Sequence, residues 1–385
     1  MNLTLTEEQQ MLADTVREMC DAGCDGETVR LVERRGEAFP PDLWKHLSSS
    51  GLVGLSVPEQ FEGAGAGLVE MCLVAQELGR SAAPLTPIVS SVLAGGMLAR
   101  AASTDQQSTW LPRIASGEAL VSVAWLEDGG GYGAKDVAMA AEIVDDRVRL
   151  CGSKTLVPFA DRAAAFIVPV RCGSRPEDID LYLVPAGPGV VSTPQRTLAG
   201  ESLHRLDLDI EVSDNARLGE PGQGWQMLHG SMAEAAIAFA AYACGGARKV
   251  LELATEYAKT REQFGRPIGV NQGIAHPLAD TLVAVEGATT LMFEAAWSRD
   301  AGRDVRILAA MAKQRCCEVF RDAAAVAHQV YGGIGYTLDI DIQLYSRRAK
   351  QLQLTWWDNR FLSDYLASLL LDEDGPGLLP PMIER

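Results

Sequence analysis

The feature that most constrains the fold is a long stretch, residues 231–260, that contains no proline and is rich in alanine. Such a stretch favours a long α-helix, and because apolar residues occur on all its sides, we expect it inside a helical bundle. Gly245 and Gly246 lie within it, although glycine costs roughly 1 kcal/mol relative to alanine in a helix interior. The glycine pair therefore predicts the close approach of another helix or of a ligand.

The hydrophobic period divides the whole chain into three regions. Residues 1–118 show the period of helices, and the same period returns from residue 219 onward. Between them the period changes to two, and residues 206–212 alternate without a fault, as a half-buried strand does. We predict an α+β multidomain fold with an N-terminal helical domain (1–118), a central, mostly antiparallel β-domain (119–218) and a C-terminal four-helix bundle (219–385).

Individual elements follow from the same patterns. Thr6 and Gln9 have the spacing of a capping box, which predicts a helix start there. Strands are expected on both sides of a turn at 144–147 and over 165–170, and Gly and Pro at 187–189 mark another turn. The helices predicted for the last region are 231–260, 276–298, 305–330 and 341–371.

Composition excludes several partners. The net charge is 34 − 51 = −17, so phosphates of nucleic acids or of an anionic membrane would be repelled. The longest apolar run, 235–247, is too short to span a bilayer, and the start of the chain lacks the pattern of a signal peptide. The eight cysteines show no spacing that completes a metal site, so we expect no metal, reduced and largely buried thiols, and a cytoplasmic protein.

A first motif, YAKTREQFGRPIGVNQ, occupies residues 257–272. Gly265 and Pro267 predict a turn, which leaves Arg261 at the end of the preceding helix. The planar guanidinium of Arg261 could hold a phosphate there through two hydrogen bonds. The alternative is that it pairs with a surface carboxylate, for which the candidates are Glu252, Glu256 and Glu262.

A second motif, HQVYGGIGYT, occupies residues 328–337. Three glycines in four positions after a long helix would let backbone amides approach a ligand closely. The alternative is a helix C-cap followed by a turn. No strand precedes the motif, so it is not a dinucleotide-binding fingerprint of the Rossmann type.

Together, the two motifs resemble the signature of the acyl-CoA dehydrogenase family, Y-A-x-x-R-x-Q-F-G-x-P-I with a later Gln, followed by Q-x-x-G-G-x-G-Y. Weaker similarities lie at 39–44, 51–54, 57–59 and 77–80, so the resemblance covers nearly the whole chain. It implies the same three-domain order, FAD as cofactor, an acyl-CoA thioester as substrate and a flavoprotein as electron acceptor. It also implies a tetramer of identical or related subunits.

In this family FAD lies between subunits, and the two motifs contact the FAD held by the neighbouring chain. Asn271 stands where the family usually has Phe, which is a minor departure. The cofactor-binding residues that the resemblance implies are Arg261 at the pyrophosphate, Phe264, Ile268 and Gln272 on the adenosine side, and Gln329, Gly332 and Gly333 at the adenine half.

The half of the site that holds a chain's own flavin departs from the family. Leu126 replaces the Thr of the T-E-P-x-A-G-S-D segment, and Tyr132 stands near its Ser. The W-x-T segment is replaced by Leu156 and Pro158, which supply neither an indole nor a hydroxyl.

The catalytic base is also missing at its usual places. The family removes the α-proton with a Glu while a hydride leaves Cβ for the flavin, and that carboxylate must reach the substrate in a dry pocket. Its two known positions correspond here to Trp356 and Ala235. Glu234 and Asp358 are the nearest candidates, and the alternative for both is a solvated or helix-capping carboxylate.

The pattern of losses resembles heteromeric actinobacterial members of the family. The leading prediction is α,β-dehydrogenation of an acyl-CoA thioester with hydride transfer to FAD, in which this chain completes the FAD site of a partner that carries the Glu. The alternatives are a homo-oligomeric dehydrogenase that uses Glu234 or Asp358, a flavin-dependent monooxygenase or oxidase, and a non-catalytic structural subunit.

Overall fold

The computed structural model describes residues 4–144 and 147–372. The N-terminal region is helical, and its capping box is confirmed: Gln9 N donates to Thr6 Oγ1 (3.2 Å) and Thr6 N donates to Gln9 Oε1 (3.1 Å). The helices are α1 Glu7–Gly23, α2 Gly26–Arg35, α3 Pro41–Ser49, α4 Leu68–Arg80, α5 Gly95–Ala101 and α6 Thr104–Ala115, with a 3₁₀ turn at Glu59–Phe61 and a π-helical segment at Ile88–Ala94.

The central region forms two four-stranded sheets, in the orders β1-β4-β5-β8 and β2-β3-β7-β6. Every pairing in them is antiparallel except β1 with β4, so the prediction of a mostly antiparallel domain is confirmed. The strands are β1 Val121–Val123, β2 Ala141–Val144, β3 Arg147–Pro158, β4 Ala165–Arg171, β5 Ile179–Pro185, β6 Val190–Gln195, β7 Leu203–Ser213 and β8 Arg217–Leu218.

The strand with the alternating pattern is β7, in which Leu206, Leu208 and Val212 are buried while Asp209 and Glu211 are exposed. The turn predicted at 144–147 joins β2 to β3, but its central residues lie outside the described part of the chain. The turn predicted at 187–189 joins β5 to β6, which confirms it.

The C-terminal region is a bundle of α7 to α10, with α11 following. A two-stranded hairpin, β9 and β10, lies between α7 and α8. The bounds are α7 Gly224–Thr260, β9 Glu262–Gln263, β10 Arg266–Pro267, α8 Gln272–Asp300, α9 Arg306–Tyr331, α10 Ile342–Leu354 and α11 Asn359–Leu371. The α+β architecture with a helical bundle is confirmed. The single helix predicted over 341–371 is wrong, because residues 355–358 separate α10 from α11.

The glycine pair inside α7 marks close helix contacts, as predicted. A Cβ added to Gly245 would lie 1.9 Å from the carbonyl oxygen of Gln76 on α4. A Cβ on Gly246 would lie 2.4 Å from the ring of Phe320 on α9. Only glycine lets α7 pack this closely against both neighbours. The domain boundaries at 118/119 and 218/219 stay predictions.

Most of the cysteines lie in the interior of the fold. All eight thiols are free, and six of them are buried, with Cys151 and Cys172 exposed. No helix in the described ranges is long and apolar enough to cross a bilayer.

Candidate functional site

The two sequence motifs meet at one end of the helical bundle. The first spans the end of α7 at Thr260, and the second spans the end of α9 at Tyr331. The rings of Tyr257 and Tyr331 stack with centroids 4.2 Å apart and planes 13° apart, and the Tyr331 hydroxyl donates to the Leu253 carbonyl at 3.3 Å. Two motifs that are distant in sequence therefore form one surface.

The first motif folds into a short hairpin that projects into solvent. Arg261 N donates to the Tyr257 carbonyl and Ile268 N donates to the Arg261 carbonyl, both at 2.8 Å, which fixes the two ends of the hairpin. At its tip Phe264 and Gly265 have φ of 55° and 74°. The Phe264 ring is 97% exposed, so a large apolar side chain is held where it can only be covered by another molecule.

The Arg261 side chain is exposed and has no hydrogen bond or ion pair within the described ranges. Two of the carboxylates that were alternative partners are held elsewhere. Glu252 pairs with Arg80 at 2.8 Å, and Glu256 pairs with Lys259 at 2.6 Å. The guanidinium of Arg261 is therefore available to an anion.

The second motif exposes backbone. Gln329, Gly332 and Gly333 are all exposed, and Gly332 has φ of 63°. A Cβ on either glycine would meet open space, so neither packs against this chain. Gln272 is exposed and Ile268 half-buried at the same end of the bundle. An unpaired guanidinium, exposed side chains and open backbone fit the adenosine diphosphate half of an FAD held by another subunit.

Three residues that the resemblance places at flavin contacts, and one that it places at the catalytic base, lie around a single small cavity. Leu126, Tyr132, Leu156 and Trp356 all line it, and its volume is about 20 Å³. That is room for roughly one water, whereas ligand pockets usually exceed about 300 Å³. Leu156 and Trp356 have φ of 52° and 55°, a region that side chains rarely adopt. As the chain stands, an isoalloxazine ring does not fit here.

Aromatic side chains fill the space around the cavity. Trp125 packs edge-on against Tyr132 (centroids 5.6 Å, 84°), and Trp356 stacks on Phe239 of α7 (5.5 Å, 21°). The Tyr132 hydroxyl donates to the Leu354 carbonyl at 3.2 Å, which ties the β-domain to the end of α10. The buried Trp125 N–H has no partner within the described part of the chain, so one water in the cavity would satisfy it.

A buried lysine fixes the segment that carries Leu126. Lys154 Nζ donates to Glu127 Oε1 and to the Pro169 carbonyl, both at 2.7 Å. Burial lowers the pKa of Lys154, and the Glu127 carboxylate opposes this shift. Thr155 N donates to the Leu126 carbonyl at 2.8 Å. Leu126 is therefore held against the cavity by β3 rather than left on a free loop.

A second buried lysine holds the segment between α10 and α11. Lys313 Nζ donates to the Leu352 carbonyl at 2.7 Å and to the Thr355 carbonyl at 3.3 Å. The chain then turns sharply, since Trp356 and Trp357 both have positive φ, 55° and 67°. Two consecutive bulky residues in this conformation persist only where the surroundings hold them.

Trp357 is fully buried in a group of aromatic rings. Its ring lies 4.7 Å from that of His229 and 5.5 Å from that of Phe361. Burial, and to a smaller extent the nearby Arg306 guanidinium, lower the pKa of His229 to about 4. His229 is therefore neutral near pH 7 and belongs to the packing.

The two candidate bases are engaged in structural contacts. Glu234 accepts hydrogen bonds from Arg100 at 2.8 Å and from Arg299 at 3.1 Å. Asp358 caps the start of α11, since its Oδ1 accepts from Phe361 N at 2.8 Å. Neither lines the small cavity.

The sequence did not point to Glu201. Among the described residues, Glu201 is the one carboxylate that lines the small cavity, and it pairs at 2.6 Å with the buried Arg348 of α10. Nothing in its spacing distinguishes it, because it lies on a connection between β6 and β7 and meets Arg348 only in the folded chain. Ala235, the second family position of the base, is fully buried on α7.

Comparisons with known proteins agree with this geometry. Residues 6–118 match the family model of the acyl-CoA dehydrogenase N-terminal domain, and residues 222–355 match that of the C-terminal domain. The chain is 32% identical over 363 residues to the acyl-CoA dehydrogenase FadE27 of Mycobacterium tuberculosis, covering 92% of this chain and 94% of that protein.

Solved structures show the same fold. The ChsE4-ChsE5 complex from Mycobacterium tuberculosis superposes with a TM-score of 0.88 at 30% identity, covering 97% of this chain and 99% of that one. Butyryl-CoA dehydrogenase from Megasphaera elsdenii gives a TM-score of 0.91 at 24% identity, covering 96% and 99%.

The chain therefore belongs to the acyl-CoA dehydrogenase family of flavoprotein oxidoreductases, whose cofactor is FAD.

Proposed function

We propose that this chain is one subunit of a heteromeric acyl-CoA dehydrogenase, most simply a tetramer, and that it completes the FAD site of a related partner subunit. The partner would supply the catalytic glutamate for α,β-dehydrogenation of an acyl-CoA thioester. FAD bound there would accept the hydride, and an acceptor flavoprotein would take the electrons onward.

The observation that carries the proposal is the small cavity. Four residues that depart from the family, Leu126, Tyr132, Leu156 and Trp356, line a space of about 20 Å³. Their replacement is coordinated, since each contributes apolar or aromatic volume to the same place. A chain under selection to hold its own flavin would not fill that place from three separate segments.

The second support is the contrast at the motif surface. Arg261, Phe264, Gln329, Gly332 and Gly333 are exposed at one end of the bundle. They are what the family resemblance assigns to the FAD of a neighbouring chain. Their exposure leaves them ready for a ligand that another subunit holds.

The engagement of both candidate bases is the third support. A carboxylate that abstracts a proton must reach the substrate carbon, and a raised pKa helps it to do so. Glu234 lies between two guanidinium groups, at 2.8 and 3.1 Å. Asp358 is committed to capping α11. A glutamate on the partner is the simpler source of the base, and the similarity to the two-chain ChsE4-ChsE5 complex points the same way.

The test counts flavin. The chain is purified alone, and also together with the acyl-CoA dehydrogenase homologue that co-purifies with it from native cells, and FAD is measured per chain by its visible absorbance after denaturation. We expect almost no FAD on the chain alone and about one FAD for every two chains in the complex. One FAD per chain in the chain alone would contradict the proposal.

The same preparations separate the alternatives. Bleaching of the flavin by an acyl-CoA in the chain alone would indicate a homo-oligomeric dehydrogenase. Oxygen consumption with a supply of reduced flavin would indicate a monooxygenase or oxidase. A complex whose FAD content does not depend on Arg261 would make this chain a structural subunit.

A further inference from the structure

A single imidazole connects the two ends of the second motif to α10. His328 begins the motif, and its carbonyl accepts a hydrogen bond from Gly332 N. Its ring stacks on that of Tyr336, near the other end of the motif, with centroids 4.4 Å apart and planes 20° apart. Its Nε2 lies 2.5 Å from Ser346 Oγ of α10. One side chain therefore holds the glycine-rich backbone from both ends.

The proton of the Ser346 hydroxyl decides which nitrogen of His328 is protonated. Ser346 Oγ donates to the Ile342 carbonyl at 3.1 Å, so its single proton is already used. Toward His328 the hydroxyl can then only accept, and Nε2 must be the donor. A neutral imidazole that is protonated on Nε2 has a free lone pair on Nδ1. Partial burial lowers the pKa of His328, which favours this neutral form near pH 7.

The Nδ1 atom of His328 faces the motif. It is buried and has no hydrogen-bond partner within the described ranges. A Cβ added to Gly335 would lie 3.2 Å from this nitrogen and 3.0 Å from Cβ of Tyr331, so the third glycine of the motif packs directly against the imidazole. Residues of the motif thus surround the ring, and the hydrogen bond through Nε2 leads out to α10.

The neighbouring part of the motif has little packing of its own. A Cβ on Gly332 or Gly333 would meet open space, and Gln329 is exposed. Backbone with few contacts keeps its position only through the residues that flank it. Tyr331 attaches the motif to α7, since its hydroxyl donates to a carbonyl of that helix at 3.3 Å, and His328 attaches it to α10.

We propose that His328 is a positioning residue. Its Nε2–H donates to Ser346 Oγ and thereby holds the second motif in the orientation in which its exposed residues meet the FAD of the partner subunit. The effect on FAD rests on the proposed function, whereas the attachment of the motif to α10 does not. The role of His328 is indirect, because it acts through the backbone that it holds.

Hydrogen exchange of the chain alone, measured by mass spectrometry on peptides that cover 329–340, tests the attachment. His328→Phe keeps a ring against Tyr336 but removes the donor, so we expect the motif amides to exchange about three- to tenfold faster. His328→Gln places an amide N–H near the position of Nε2 and should bring exchange back to within about twofold of the unmodified chain. Unchanged exchange in His328→Phe, or no recovery in His328→Gln, would overturn the proposal.

Removal of the acceptor tests the same hydrogen bond from the other side. Ser346→Ala should accelerate exchange at least as much as His328→Phe, and the double variant should be no worse than Ser346→Ala, because one bond is lost only once. The matched control is Ser363→Ala on α11. Ser363 Oγ also donates to the carbonyl four residues earlier, at 2.9 Å, and accepts from Gln314 Nε2 at 3.0 Å. Additive effects in the double variant, or equal acceleration in the control, would refute the assignment.

FAD retained by the heteromer after gel filtration tests the consequence for the cofactor. We expect His328→Phe and Ser346→Ala to weaken FAD affinity about three- to tenfold, and His328→Gln to retain it. If exchange accelerates but FAD affinity does not change, the attachment does not serve the cofactor and the positioning role is wrong. One FAD per chain in the unmodified chain alone would instead contradict the proposed function, while hydrogen exchange would still decide the attachment. The two failures are therefore distinguishable.

Discussion

The motif surface and the small cavity differ in one physical respect, which is what covers their side chains. At the motif surface Phe264 is 97% exposed and Arg261 has no partner within the described residues. Around the cavity Trp125 is buried and Trp356 stacks on Phe239. The side chains of the first region can be covered only by another molecule, whereas those of the second are covered by one another.

The difference explains how a chain can keep one half of a shared site and lose the other. An apolar cavity large enough for a flavin would destabilise a chain that never binds one, because its walls lose packing contacts. Aromatic residues that fill the space recover about 1.5–3 kcal/mol of burial each. The exposed motif cannot be closed in this way without losing the surface that the proposed partner would use.

Trp357→Ala should lower the free energy of unfolding more than any other variant considered. Removing a fully buried indole leaves a cavity, and we expect the free energy of unfolding to fall by about 3–5 kcal/mol. Urea denaturation followed by circular dichroism measures it. Trp297→Ala, which removes a tryptophan that is 36% exposed, should cost less, about 1–2 kcal/mol. Equal losses would show that the buried Trp357 does not stabilise the segment between α10 and α11.

His229 should make the free energy of unfolding depend on pH. The unfolded histidine takes up a proton near pH 6.5, but the folded one does so only at about 4, so its contribution is complete above pH 6.5 and is lost as the pH falls toward 4. The loss reaches about 3 kcal/mol.

Denaturation of His229→Phe between pH 4 and 7 checks this, since the slope should become shallower. Burial also lowers the pKa of His204 and His328, so some slope should remain. Replacement of the exposed His46 by Gln should leave the profile unchanged. An unchanged slope in His229→Phe would refute the assignment.

Arg261→Gln should weaken FAD binding at the motif surface and leave the packing around the small cavity unchanged. In the heteromer we expect FAD affinity to fall about tenfold or more, because charge-assisted hydrogen bonds to a phosphate contribute about 1.5–3 kcal/mol each. FAD retained after gel filtration measures it. Arg266→Gln, in the same hairpin, removes a guanidinium that bonds to Asn271 and should retain FAD. If both variants keep FAD equally well, the motif does not hold the cofactor.

Glu234→Gln and Asp358→Asn should have the smallest effects. Turnover of the heteromer should stay within about twofold, because neither carboxylate is assigned to proton abstraction. Asn is as good an N-cap as Asp, so Asp358→Asn should change stability by a few tenths of a kcal/mol. Glu234→Gln weakens two ion pairs and should cost about 1 kcal/mol. A tenfold drop in turnover for either variant would indicate that this carboxylate is the catalytic base.

Much of the fold could be predicted from local pattern. The long α7, the alternating β7 and the capping box at Thr6 follow from periodicity and capping, which depend on neighbours in sequence. The break between α10 and α11 could not, because it depends on contacts from other helices: Lys313 of α9 holds the Thr355 carbonyl, and His229 of α7 packs against Trp357. Propensity does not foresee such tertiary contacts.

The sequence by itself determined the family, the order of helical and β regions, and the places where the chain departs from the family's flavin-site motifs. Only the tertiary structure decided that Leu126, Tyr132, Leu156 and Trp356 surround one cavity of about 20 Å³. It also decided that Glu234 and Asp358 are occupied. The physical reason is that residue type and spacing set local structure, while volume and pairing depend on segments that are far apart in the chain.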